Sequence, residues 1–254
     1  MKFFNQNKSF FKKISIKNLK FKNIIYTFFF ILFFTTFLYA PVSVTSAAME
    51  PALLEGDYMV VSKYSYGYGK YSFPFIKLPI NGRIFKKLPK RGDIIAFKTP
   101  EGEFGIQRVI GLPSDKIQMK RSVLFINNLS VHREFIGLHT HVCKFHNKLG
   151  LHGATVDRFL EFLSNGKVFE TLDTTYDNIV DNTNVYIVPK GYYFVMGDNR
   201  DESLDSRFKN IGFIPLDHII GESKTILFSL NEHTWKFWKW PVSVRWIRFF
   251  KKVK

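Results

Sequence analysis

Internal disulfides are excluded by composition. The chain has one cysteine, Cys143, and a lone thiol has no partner within the chain. Acid is missing at both ends. The first 22 residues hold seven lysines and no Asp or Glu, and the stretch KFWKWPVSVRWIRFFKKVK at 236–254 again has none. Charge of either sign is absent between Lys22 and Glu50. Global disorder is excluded as well, because 46% of the 254 residues are hydrophobic and Phe alone counts 29. No internal repeat is visible.

The net charge is +16 and sits mostly at the two ends. These bases lie beside Phe and Trp runs, which suits an anionic bilayer surface better than nucleic acid. A lipid bilayer is therefore an expected partner, and nucleic acid is not.

The uncharged run reads NIIYTFFFILFFTTFLYAP from Asn23 to Pro41. With Val42, Ser43 and Val44 it approaches the ~20 residues that span a bilayer. Tyr26 and Tyr39 fall near its ends, where amphipathic rings favour the interface. The lysine-rich flank is N-terminal. The positive-inside rule then makes 1–22 a basic cytoplasmic tail and 23–42 a single-pass anchor, with the rest on the outer side. A cleavable signal peptide ending at SAA is the competing reading. The apolar run is longer than the usual ~7–15 residues of such a peptide, which favours the anchor.

Beyond the anchor the pattern is that of strands. DYMVVSKYSYG (57–67), GDIIAFKTP (92–100) and FGIQRVIGLPSD (104–115) are rich in β-branched and aromatic residues bounded by Gly, Pro and Asp. DKIQMKRSVLFINNLSV (115–131) reads as two strands around a polar turn, with INN as a hairpin tip. NVYIVPKGYYFVMGD (184–198) reads as a strand pair broken at Pro189-Lys190-Gly191. ATVDRFLEFL (154–163) fits helix and strand equally. The expected fold is mainly antiparallel β.

Two constellations have a bland reading and a sharp one. HTHVCKFH (139–146) gathers His139, His141, Cys143 and His146, with His152 nearby, but its spacing fits no common zinc pattern and reads as an exposed polar loop. Asp198, Asp201, Glu202 and Asp205 are interleaved with Asn199, Arg200 and Arg207, which points to internal ion pairs and turn hydrogen bonds rather than a cation site. The tryptophans Trp235, Trp238, Trp240 and Trp246 alternate with bases in the last segment and fit an interfacial belt.

Five stretches in order, the anchor, SAAMEPALLEGDYMVVSKYSYG (46–67), RGDIIAFKTP (91–100), IQRVIGLPSD (106–115) and MGDNRDESLDSR (196–207), resemble the type I signal peptidases. IGFIPLDHIIGESKTILFS (211–229) continues the likeness. The resemblance implies a β core at 43–115 plus 188–254, interrupted by a second β domain at 116–187. It implies a bacterial-type cytoplasmic membrane, with signal peptides of exported preproteins as partners and no metal or cofactor. It also implies a lipid-facing role for the aromatic loop at 64–75. The family cuts with a serine nucleophile and a lysine base kept neutral by burial.

Carried over residue by residue, the nucleophile position is Ala48 and the base position is Gln107. Ser46 matches the oxyanion hydroxyl and Ser203 the hydroxyl that orients the lysine. Asp205 and Arg207 match a structural ion pair near the site, and Arg108 follows the base as a supporting residue. Met49 and Pro51 fall in the substrate groove. Lys63 matches a lysine of the second stretch with a structural role. Ser114 stands where the family usually has Gly. A methyl group attacks nothing, and an amide is no base. Losing one member of such a unit removes most of its acceleration, and losing both adds little more. The expectation is a catalytically silent homologue that binds signal peptides or accompanies an active paralogue. Two alternatives stand beside it: an active peptidase with a non-standard nucleophile, and a non-enzymatic binding or assembly protein.

Overall fold

The computed structural model describes residues 22–73, 82–141, 154–173, 179–231 and 243–253. Three of the four tryptophans, and Cys143, His146 and His152, lie outside these residues.

The described part is mainly β. Its strands are β1 (Tyr39–Ser43), β2 (Asp57–Ser62), β3 (Ile94–Lys98), β4 (Phe104–Gly111), β5 (Lys116–Lys120), β6 (Val123–Ile126), β7 (Leu129–Ser130), β8 (His132–His141), β9 (Ala154–Phe162), β10 (Val168–Asp173), β11 (Tyr186–Ile187), β12 (Tyr192–Met196), β13 (Ile214–Pro215) and β14 (Ile219–Ser229). A seven-stranded sheet runs β1-β2-β14-β3-β4-β12-β13, with antiparallel pairing throughout. The strands β5 to β11 build two smaller sheets, β10-β9-β8 and β11-β5-β6-β7. The smaller sheets share a core with the large one. Ile117, Met119 and Leu124 share a buried cluster with Phe169 and with Ile110, Phe194 and Met196 of the large sheet.

Several sequence expectations change here. The ambiguous 154–163 segment is strand β9, which pairs with both β8 and β10. The INN tip does form a hairpin, through Asn127 and Asn128 at φ 52° and 68°. A second hairpin precedes it, turning at Arg121 and Ser122 with φ 47° and 62°. Both turns need left-handed backbone, which Asn signals and Arg-Ser does not. The 184–198 segment is not a strand pair: β11 joins β5, and β12 joins β4 and β13.

The apolar segment is helical from 22 and closes in a π-helical turn, Phe34–Leu38. No helix among the described residues is long and apolar enough to cross a membrane. Residues 39–42, read from sequence as the end of the anchor, belong to β1 instead. Pro41 is tolerated there because β1 is an edge strand.

The helix end is tied to the sheet. The last carbonyls of a helix lack partners and carry its negative pole. The buried Lys63 ammonium donates to Thr35 O at 2.9 Å and Thr36 O at 3.0 Å. Tyr68 Oη donates to Phe37 O at 2.9 Å. Burial lowers the Lys63 pKa from the usual 10.5 to about 8. Between those two values the unfolded chain binds the extra proton, so stability rises with pH through the window; below about 8 the full penalty applies. Thermal unfolding in detergent should therefore show a rise across this window that a Lys63→Met variant flattens. A wild-type curve that falls there instead would contradict the burial of Lys63.

Candidate active site

The first wall of the site is the segment after β1. Thr45 and Ser46 are exposed, Ala48 is half-buried, and Met49 and Leu53 are buried. A turn forms as Glu50 N donates to Ala47 O at 3.0 Å and Leu53 N to Met49 O at 2.8 Å. The Glu50-Pro51 peptide is cis. The turn is anchored below: Asp57 accepts from Leu54 N at 2.8 Å and from Arg248 Nε at 2.8 Å.

The second wall is the 197–207 loop. Asn199 N donates to Ala48 O at 3.1 Å. Gly197 lies against both loops, where a Cβ would collide with the Ala48 carbonyl and the Ser203 side chain. Only glycine permits this approach. The loop is fixed by Asp205, which is fully buried. It accepts from Gly197 N at 3.1 Å, Arg207 N at 3.1 Å, and Arg207 Nε and Nη2 at 2.8 Å each.

The floor is β4. Successive strand residues point to opposite faces. Gln107 turns toward the two loops: its Nε2 donates to Leu204 O at 2.5 Å and Ser203 Oγ at 3.3 Å. Arg108 turns away, gripping Asp198 through two bonds of 2.7 Å and lying 4.1 Å from the Phe169 ring centre. Burial pushes the Asp198 carboxyl up, against the pull of the Arg108 guanidinium. A second buried pair, Arg200 with Glu161, ties the 197–207 loop to β9.

Between these walls lies a groove of about 280 Å³. Ser46, Ala48, Met49 and Gln107 all line it, with Phe97 and Phe104 on the far side. Ser203, Asp205 and Arg207 sit behind it, and Arg108 faces the opposite side of the sheet. Pro51, expected in the groove, lines a separate cavity with Leu160, Phe169 and Lys251. The turn through Pro51 carries the chain away from the groove.

Of the acidic run, Asp198 and Asp205 are in ion pairs. Asp201 instead approaches Asp173 and Asp181, with carboxylate oxygens within 4.8 Å of one another. Two site features escape the sequence reading. The Leu204 carbonyl has no residue-type signal at all. Gly197 was visible in MGDNR, but its contact with Ala48 joins residues far apart in the chain.

Chemically the groove offers hydroxyls, the amides of Gln107 and Asn210 and the carboxylates of Glu103 and Glu202 beside apolar walls. Among its lining residues there is no lysine, histidine or cysteine.

The chain is similar to known proteins along most of its length. The family described as "Signal peptidase, peptidase S26" matches residues 18–228. Signal peptidase I of Rickettsia typhi (strain ATCC VR-144 / Wilmington) is 37% identical over 235 residues, covering 84% of this chain and 85% of that protein. Signal peptidase I of Rickettsia akari (strain Hartford) is 36% identical, covering 84% of each. The crystal structure of a signal peptidase I from Enterococcus faecalis V583 aligns with 54% of this chain and 97% of its own, at 27% identity and a TM-score of 0.31. The chain belongs to the peptidase S26 family of signal peptidases.

Proposed function

We propose that this chain is a membrane-anchored signal peptidase homologue that binds signal peptides of exported preproteins without cutting them. Ala48 and Gln107 occupy the nucleophile and base positions. Ser46 and Ser203 keep the supporting hydroxyls, and Asp205, Arg207 and Arg108 keep the scaffold rigid. The helical part of the 23–42 segment, which ends at Leu38, anchors the chain, with 1–22 in the cytoplasm and the globular part on the outer side of a bacterial-type cytoplasmic membrane. The core is 43–115 plus 188–254, and 116–187 is the insertion. Cleavage falls to an active relative.

One observation carries the peptide-binding half of this reading. β3 pairs with the whole Phe104–Arg108 stretch of β4, but β12 pairs only with Arg108–Gly111. On the β12 side, Phe104–Gln107 has no strand neighbour among the described residues. That open edge lines the groove beside Ala48. An extended peptide adds to such an edge through main-chain hydrogen bonds, with side chains taken alternately into pockets. The silent half rests on residue chemistry. The nearest hydroxyls, those of Ser43, Thr45 and Ser46, have no lysine or histidine beside them among the groove residues, whose only titratable side chains are the carboxylates of Glu103 and Glu202. Lys63 is held against the helix carbonyls instead. Exposed Trp246, Ile247 and Phe250 beside Lys251 and Lys252 suit a bilayer surface.

The test uses the full chain in detergent with a preprotein carrying a photo-crosslinker next to its small-residue motif. The expected result is a crosslink to the groove residues with no cleaved product, unchanged by Ser46→Ala. Cleavage at a rate comparable to an active relative would overturn the silent half. Absence of any crosslink would favour an assembly role that does not use the groove.

A further inference from the structure

One atom of Gln107 is left without a role. Its Nε2 is doubly engaged, by Leu204 O and Ser203 Oγ. Its Oε1 is buried and has no hydrogen-bond partner, in a side chain only 5% exposed. The amide orientation is set by the Leu204 carbonyl: turned over, Oε1 would face another acceptor. Buried acceptors are nearly always paired, so an orphan needs a reason. The groove neighbour that would face it across a Ser/Lys dyad is residue 48, and the Ala48 methyl donates nothing.

The chemistry of the base position indicates which donor belongs there. A base that takes the nucleophile's proton returns it to the leaving nitrogen. The side chain at 107 must then face the nitrogen of the peptide bond lying over residue 48. In an intact peptide that nitrogen carries a hydrogen. A lysine ammonium has no acceptor to offer it, whereas an amide oxygen does.

We infer that Gln107 Oε1 accepts the N–H of the peptide bond lying over Ala48, the bond that follows the small residue of a bound peptide. This rests on the peptide-binding reading above. The position used elsewhere for base catalysis then grips the intact bond. Oε1 is closed to bulk water, so the donor must arrive with a body that reshapes the groove floor. A strand added along Phe104–Gln107 is such a body, and side-chain adjustment of this kind is common at interfaces. A carboxamide does not titrate in the working range, so the grip is independent of pH. A peptide with proline after the small residue has no N–H to offer and is disfavoured.

The experiment measures binding of fluorescent peptides to the full chain in detergent micelles. One peptide is the parent. A second replaces the amide after the small residue with an ester, which removes that N–H alone as donor. A third carries the ester two bonds earlier. For the chain as written, the second should bind about five- to tenfold more weakly than the parent, the worth of one neutral hydrogen bond. Gln107→Met keeps the length of the side chain and loses the acceptor. In that variant the parent should bind more weakly and the second ester should cost nothing further. The third peptide should behave alike on both proteins. An ester effect that is absent, or equal in the two proteins, overturns the inference while peptide binding stands. If no peptide binds at all, the reading beneath it fails as well. The comparison of parent and esters on the unaltered chain decides the matter even if the variant folds poorly.

Discussion

The Ala48→Ser, Gln107→Lys double variant is expected to cleave a preprotein after its small-residue motif, and neither single variant is. The size of the effect follows from how such groups act. In a nucleophile–base unit, removing one member costs nearly as much as removing both, on the order of 10⁴ to 10⁶ in rate. Restoring one member therefore recovers little, and restoring both recovers most of it. The surroundings suit a returning lysine. Leu204 O and Ser203 Oγ already accept hydrogen bonds from the side chain at 107. Val44, Met49, Leu53, Phe97, Phe104 and Ile106 line the groove and are largely apolar. Such walls penalise the charged form and lower a lysine's pKa, against the pull of Glu103 and Glu202, which also line the groove; a base working near neutrality needs that lowering. The neutral amine is the active species, so cleavage by the double variant should rise with pH until the lysine is deprotonated. The measurement is a time course of product on a gel across pH, for four proteins. Activity in the chain as written, equal to that of the double variant, would sink the assignment of Ala48 and Gln107. Inactivity in all four would mean that the groove no longer presents the bond, and an assembly role would move ahead.

Much of this site was legible in the sequence, for a physical reason. Met49 and Asp205 meet strict local demands: a buried apolar side chain, and a buried carboxylate that satisfies four donors. Residue type records such demands directly. The strand content was legible for the same reason, since β-branched and aromatic runs bounded by turn residues are a local signal. Relations between distant segments were less visible. β11 and β12 look like a hairpin in the sequence, yet their partners lie in different sheets. Pro51 sits two residues from Met49 but faces another cavity, because a turn separates them. The open edge of β4 is defined by where β12 stops pairing, and no single residue encodes that. The contact of Lys63 with Thr35 and Thr36 joins two segments that the sequence treats as separate, an anchor and a strand.

Asp205→Ala should be the most damaging single change on the non-groove side of the site. Asp205 is fully exposure-free and satisfies four donors at once, three of them on Arg207. Removing it leaves a guanidinium buried without its carboxylate, which costs about 3–5 kcal/mol. The Gly197 N–H loses its acceptor as well, worth about 1–3 kcal/mol more if nothing replaces it. Typical domains have only about 5–15 kcal/mol in total. The variant should therefore unfold at a much lower denaturant concentration, and any that remains folded should bind peptide poorly, because Asn199 N of the same loop holds the Ala48 carbonyl. The double variant Asp205→Leu, Arg207→Leu removes both charges and should recover a good part of the loss, since replacing a buried pair by apolar groups is often close to neutral. A bond from Arg207 to the Arg200 carbonyl is lost in that double variant, so recovery is incomplete. The control is Glu170→Ala. Its pair with Arg158 is 3.7 Å apart with side chains 42% and 35% exposed, and breaking it should cost less than about 1 kcal/mol. Urea midpoints of the four proteins settle the order. If Asp205→Ala shifts the midpoint no more than Glu170→Ala does, the ion pair is not what holds the second wall of the groove, and the bonds of Asn199 to Ala48 and of Ser206 to Val195 must carry that load.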